Sequence, residues 1–114
     1  MSARLRLMAT SLLAAMLLLA AHMIGQAGPR VTGVDPTAAK PGDKVTISGE
    51  NLEKKNVVAV YLSDSSEDHR VQVVEQTAEK ITILVPKLRP RDYNVSIQVR
   101  NDILIQPVRL TVQE

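Results

Sequence analysis

The stretch VTGVDPTAAKPGDKVTISGENL, residues 31–52, decides how the chain folds. Within it Val45 and Ile47 alternate with Lys44, Thr46 and Ser48, the period of two that puts apolar side chains on one face of a strand. Ahead of that strand Pro41-Gly42 suits the two central positions of a type II turn, with proline preset and glycine taking the positive φ. Asp35-Pro36 ends an earlier strand, because proline fixes its own backbone angle and removes a ladder donor. A loop at Gly49-Glu50-Asn51, capped by Leu52, closes the stretch.

The same pattern continues outward. Strands are expected at 30–34 (A), 44–48 (B), 57–63 (C), 70–76 (C′ or D), 80–85 (E) and 93–100 (F), followed by G after a tight turn at Asn101-Asp102. In F, Tyr93, Val95, Ile97 and Val99 face inward and Asn94, Ser96, Gln98 and Arg100 face water. Strand C is apolar on both faces, Val58, Val60 and Leu62 on one and Val57, Ala59 and Tyr61 on the other, as a strand covered on both sides would be. In G the apolar parity changes between Ile103/Ile105 and Val108/Leu110/Val112, which predicts a bulge at Gln106-Pro107. About seven short strands without a repeat give an all-β, immunoglobulin-like sandwich. Tyr93, preceded by Leu88-Arg89-Pro90, stands where a tyrosine corner would bond back to nearby backbone.

A chain of 114 residues holds one ordinary domain. Residues 1–27, MSARLRLMATSLLAAMLLLAAHMIGQA, combine a basic start, an apolar run and small residues at Gly25 and Ala27, the pattern of a signal peptide cleaved after Ala27. The domain is then 28–114, preceded by a hydrophobic signal helix. The alternative is an uncleaved anchor through residues 7–24, just long enough to span a bilayer. Membrane attachment is expected only in that case, and the domain is otherwise periplasmic or secreted. Setting aside Arg4 and Arg6, the 14 basic residues become 12 against 12 acidic ones. A neutral domain lacks the basic face that nucleic-acid binding requires. With no cysteine there is no disulfide, no thiolate metal site and no lipoprotein linkage.

Chemistry-bearing residues are sparse, and no catalytic residue, cofactor site or metal site can be assembled. Asp64-Ser65-Ser66-Glu67-Asp68 spaces its oxygens like the opening of a calcium loop, but His69 stands where such a loop needs glycine and no closing Glu follows. His69 is the one histidine after residue 27 and reads as a surface loop residue. Lys87, Arg89 and Arg91, with Lys54 and Lys55, are the candidates for a basic patch that would take an acidic partner, but with acids interspersed and no aromatic platform they read as a scattered, solvated set. Asn94-Val95-Ser96 fits the N-glycosylation pattern on an outward position. The best interaction candidates are apolar: Ala59 and Tyr61, if strand C faces solvent, and the consecutive Ile103, Leu104 and Ile105. On that reading Tyr61→Ser or Leu104→Asp leaves the fold intact and weakens a partner contact.

Pro29-Arg30-Val31 leading to Asp35-Pro36, the run from Pro41 through Leu52, residues 81–86, residues 92–101 and Leu110-Thr111-Val112 together resemble the IPT/TIG domains, over nearly all of the chain after residue 28. The resemblance implies an immunoglobulin-like, non-catalytic module of the kind found in cell-surface receptors, bacterial surface and secreted proteins, some polysaccharide-processing enzymes and Rel-type transcription factors. A signal peptide before a neutral domain fits the bacterial extracytoplasmic branch and not the DNA-binding one. Many such domains carry an aromatic residue where this chain has Leu52. The expected function is therefore a protein-interaction or structural module of the cell envelope. Binding of a carbohydrate or envelope polymer is the alternative, for which two tyrosines supply few sugar platforms.

Overall fold

The computed structural model describes residues 28–114, so the expected signal peptide, its cleavage point and the alternative anchor lie outside the described residues. Among these residues the chain forms nine strands: β1 Arg30–Asp35, β2 Ala38–Ala39, β3 Lys44–Glu50, β4 Ala59–Ser63, β5 Asp68–Arg70, β6 Gln72–Gln76, β7 Lys80–Leu84, β8 Arg91–Val99 and β9 Asp102–Val112. They make a four-stranded sheet, β1-β3-β7-β6, facing a five-stranded sheet, β2-β9-β8-β4-β5. Every pairing is antiparallel except that of β2 with β9.

The period-two residues meet between the sheets. Val45 and Ile47 from β3, Ile81 and Ile83 from β7, Val60 and Leu62 from β4, and Tyr93, Val95 and Ile97 from β8 are all buried in one core. With neither Phe nor Trp available, branched aliphatics fill the space between sheets, as their fit to pleated surfaces favours. The Tyr93 hydroxyl leaves that core to donate to the Arg89 carbonyl at 2.8 Å, the expected tyrosine corner. Lys40 to Asp43 is the expected turn, closed by the Asp43 amide on the Lys40 carbonyl at 3.0 Å with Gly42 at φ 92°. The Asp35–Pro36 peptide at the end of β1 is cis.

Several expectations need correcting. The strand expected at 70–76 is two: β5 pairs with β4 and β6 with β7, and the chain crosses between sheets at buried Val71, whose amide donates to the Val60 carbonyl. Strand C begins two residues later than expected, at Ala59, since the Asn56 and Val57 amides both turn back to the Glu53 carbonyl. Its inner-face parity fails at Val58, which is exposed while Val57 enters the core. Gly49 and Glu50 belong to β3 and not to a loop. The final turn is centred on Arg100-Asn101, one residue earlier than expected, with Arg100 at φ 58°. Ser96, expected to face water, is fully buried, because Tyr61 of β4 and Ile105 of β9 flank it on the outer face.

The bulge at Gln106-Pro107 is present. Asn94 pairs with Arg109 and Ser96 with Ile105, so β9 passes residues 106–108 against Val95 alone. The detour turns Gln106 inward. Its Oε1 accepts the Val31 amide at 2.8 Å, tying edge strand β1 to the facing sheet, and its carbonyl accepts the Asn94 Nδ2 at 3.1 Å.

Candidate functional site

The outer face of the five-stranded sheet is built from alternate residues of three neighbouring strands. Ala59, Gln98 and Ile103 form one cross-strand row, and Tyr61, Ser96 and Ile105 the next. Paired residues point to the same side, so Leu104, opposite core residue Ile97, points inward. Near the hairpin tip it finds little cover: Ile103, Leu104 and Ile105 are 39%, 42% and 65% exposed. The structure thus puts three of the five expected interaction residues at the surface in one run.

The other two stand differently. Ala59 is buried, at 5% exposure, in the row where Tyr61 reaches across to Gln98, the cross-strand partner of Ala59. Tyr61 is half-buried and its hydroxyl donates to Gln98 Oε1 at 2.7 Å, which fixes the ring against the sheet. Replacing Tyr61 therefore disturbs the sheet itself, and Leu104→Asp is the cleaner probe of the surface. Behind Tyr61, Ser96 donates to Ser63 Oγ at 2.8 Å and Ser63 to Asp68 Oδ1 at 2.6 Å, a chain that satisfies both buried hydroxyls.

The loop after β4 uses its acids internally. Asp64 Oδ1 accepts the Ser66 and Glu67 amides, each at 2.8 Å, while Oδ2 faces His69 Nε2 and Arg91 Nη1, each at 3.5 Å. His69 is half-buried in β5, its ring perpendicular to that of Tyr93 with centroids 5.9 Å apart, rather than free in a loop. Among the described residues no group of three or more His, Asp or Glu is arranged to hold a metal ion.

The amides of Ser66 and Glu67, the main cause, together with His69, hold the Asp64 carboxyl below its ordinary range. Its contribution to stability is complete above the ordinary carboxylate pKa and is lost as pH falls through the lower folded value. Between about pH 5 and about pH 2 the melting temperature of the wild type should therefore drop further than that of Asp64→Asn. Parallel curves over that range would show that Asp64 has no part in the acid limb.

The basic residues do not combine. Lys54 and Lys55 lie in the loop between β3 and β4, at the end of the sandwich where Val58 meets Gln98. Lys87, Arg89 and Arg91 lie at the opposite end, with Arg91 beside Asp64. Asn94 is half-buried with its Nδ2 committed to Gln106, so its amide does not stand free as the glycosylation pattern would want. Sequence reasoning missed Gln106; a glutamine beside proline at a change of strand parity was the available signal.

The IPT/TIG domain model matches residues 29–112. Among solved structures, the chain superposes on a structural-genomics protein of unknown function from Bacteroides thetaiotaomicron VPI-5482 with a TM-score of 0.67 at 19% identity, over 77% of this chain and 22% of that one. An auxiliary nutrient binding protein from Bacteroides ovatus ATCC 8483 gives 0.56 at 18%, over 77% of this chain and 21% of that one. The gamma-CGTase of alkalophilic Bacillus clarkii gives 0.55 at 23%, over 72% and 12%. The chain spans less than a quarter of each of these proteins, and at such identities the likeness is one of fold. No curated protein matches the sequence.

Proposed function

The chain belongs to the IPT/TIG domain family, and from that premise we propose that it is a non-catalytic protein-interaction or structural module of the cell envelope, acting in an extracytoplasmic compartment. The observation that carries the reading is the run Ile103, Leu104 and Ile105, three consecutive large aliphatic residues left exposed on one strand, Ile103 and Ile105 on its outer face and Leu104 on the other, although a packed core was available to the chain. Exposed apolar clusters mark surfaces that another molecule covers. The compartment rests on the signal-peptide pattern of residues 1–27.

A protein suits this surface better than a glycan. Sugars stack on exposed aromatic faces, whereas Tyr93 is buried and Tyr61 is half-buried and held by Gln98. The test is capture from envelope extract with wild-type chain and with Leu104→Asp, set beside a glycan array. Capture of a discrete protein, whether another chain or a second copy of this one, by the wild type, reduced about tenfold or more by the substitution, is the expected result, in line with an anchor residue at an interface. Strong glycan binding that Leu104→Asp leaves unchanged would overturn the reading.

A further inference from the structure

The run 103–105 is also the open edge of a sheet. On the side away from β8, β9 is paired only at Thr111 and Val112, where the two-residue β2 ends its cover. The two-residue turn makes Val99 and Asp102 the closing hydrogen-bonded pair of the hairpin, so the N–H and C=O groups of Ile103 and Ile105 point outward. The alternation agrees on the far side of β8, where the Gln98 carbonyl turns to β4 and accepts the Val58 amide. Natural edges are usually blunted by a charge, a proline or a bulge. Here Asp102 stands at one end and the Gln106-Pro107 bulge at the other, leaving a short exposed strand whose unpaired groups fit another strand.

We infer that the occupant of this edge is a second copy of the chain, its β9 lying antiparallel to the first about a two-fold axis through Leu104. This rests on the reading of the surface as an interaction site and names what covers it. In that register Ile103 of each copy lies opposite Ile105 of the other, so the outward groups of both residues form four hydrogen bonds and no donor meets a donor. The outer-face side chains then bring isoleucine against isoleucine, and Leu104 meets its own counterpart on the inner face. A closed two-fold contact of this kind is isologous and ends at two copies.

Charge favours the same arrangement. Because the bulge shortens β9 between Ile105 and Arg109, antiparallel pairing brings the Asp102 end of one copy alongside the Arg109 end of the other. The two side chains project to opposite faces, so the attraction orients the strands without forming a contact pair, and parallel pairing would set Asp102 beside Asp102. Beyond residue 27 the chain carries 12 basic and 12 acidic residues, so no net repulsion opposes the association of copies.

The chain contains no cysteine, so it can be tested with single thiols. In the inferred register position 104 faces itself, at the separation of a non-hydrogen-bonded pair, which a disulfide can bridge. Under mild oxidation Leu104→Cys should give a cross-linked dimer at least about tenfold faster than Val58→Cys, an exposed site away from the edge, because pairing raises the local thiol concentration. Ile103→Cys and Ile105→Cys should cross-link slowly alone and quickly when mixed. Equal rates at every position, with all thiols open to a maleimide reagent, would overturn the inference. So would a thiol at 104 that resists the reagent, since the chain itself would then cover the edge. Cross-linking of Leu104→Cys to a different protein would overturn the second copy while sustaining the proposed function. Failure of the function reading is seen separately, in the envelope capture experiment.

Discussion

Gly49→Ala is expected to cost the domain about 3 kcal/mol, the upper part of the range for forcing extra volume into a packed place. A Cβ at this position would fall against the Arg30 carbonyl oxygen and would approach Leu52 Cδ1 at 3.1 Å. The carbonyl is main chain and cannot swing aside. Gly49 pairs with Val31 across β1 and β3, the Gly49 amide is bonded to the Glu79 carbonyl at 3.0 Å, and the Val31 amide is held by Gln106 from the facing sheet. Relief would therefore require opening β1 from β3 or breaking the buried Val31–Gln106 hydrogen bond between β1 and β9. Gly33→Ala is the matched control, since nothing lies within 4 Å of a Cβ there and its change should stay under about 1 kcal/mol. Urea unfolding midpoints of the two variants would check this. Equal midpoints would mean that β1 is loosely held and that the glycine serves no close approach.

Gly49 also shows where the sequence is readable and where it is not. Alternation in 44–48 and 93–99 names β3 and β8 because each runs within one sheet, and the parity break before Pro107 locates the bulge. Alternation is blind to a change of sheet. Arg70, Val71, Gln72 and Val73 keep a period of two while the chain crosses from β5 to β6, because Val71 and Val73 both still face the one core. A two-residue strand of alanines, β2, has no period to detect. Its shortness is nevertheless what leaves β9 open, so the free edge depends on a feature only the topology reveals. The consecutive apolar residues 103–105 were visible as a candidate surface. Ala59 was not separable from them by type, since its burial comes from neighbours on other strands and a methyl group is easily overhung. The glycine at 49 read as loop because turns are its commonest place, yet here it sits in a strand where another backbone comes close.

Leu52→Ala should lose about 2–5 kcal/mol, the cost of removing a fully buried aliphatic side chain together with the cavity it leaves. The upper half of that range is expected, because the site is poorly able to collapse. The Leu52 amide donates to the Ala78 carbonyl at 2.8 Å, and its own carbonyl accepts Gln76 Nε2 at 2.8 Å. The same Gln76 amide reaches the Val57 carbonyl at 2.9 Å, so both ends of the segment 52–57 are fastened to β6 and the space left by the leucine stays open. Val58→Ala, one residue beyond that segment and exposed, should change stability by no more than about 0.5 kcal/mol. Leu52 is also one of the neighbours that a side chain at Gly49 would meet, which makes the pair a test of coupling. Truncating Leu52 removes one of the two obstructions to alanine at 49 and leaves the Arg30 carbonyl in place. The double variant should accordingly lose less than the sum of the single losses, by roughly 0.5–1 kcal/mol, and remain well below Leu52→Ala alone in urea midpoint. Strict additivity would show that Leu52 does not press on the strand at Gly49, and that the β1–β3 approach alone dictates the glycine.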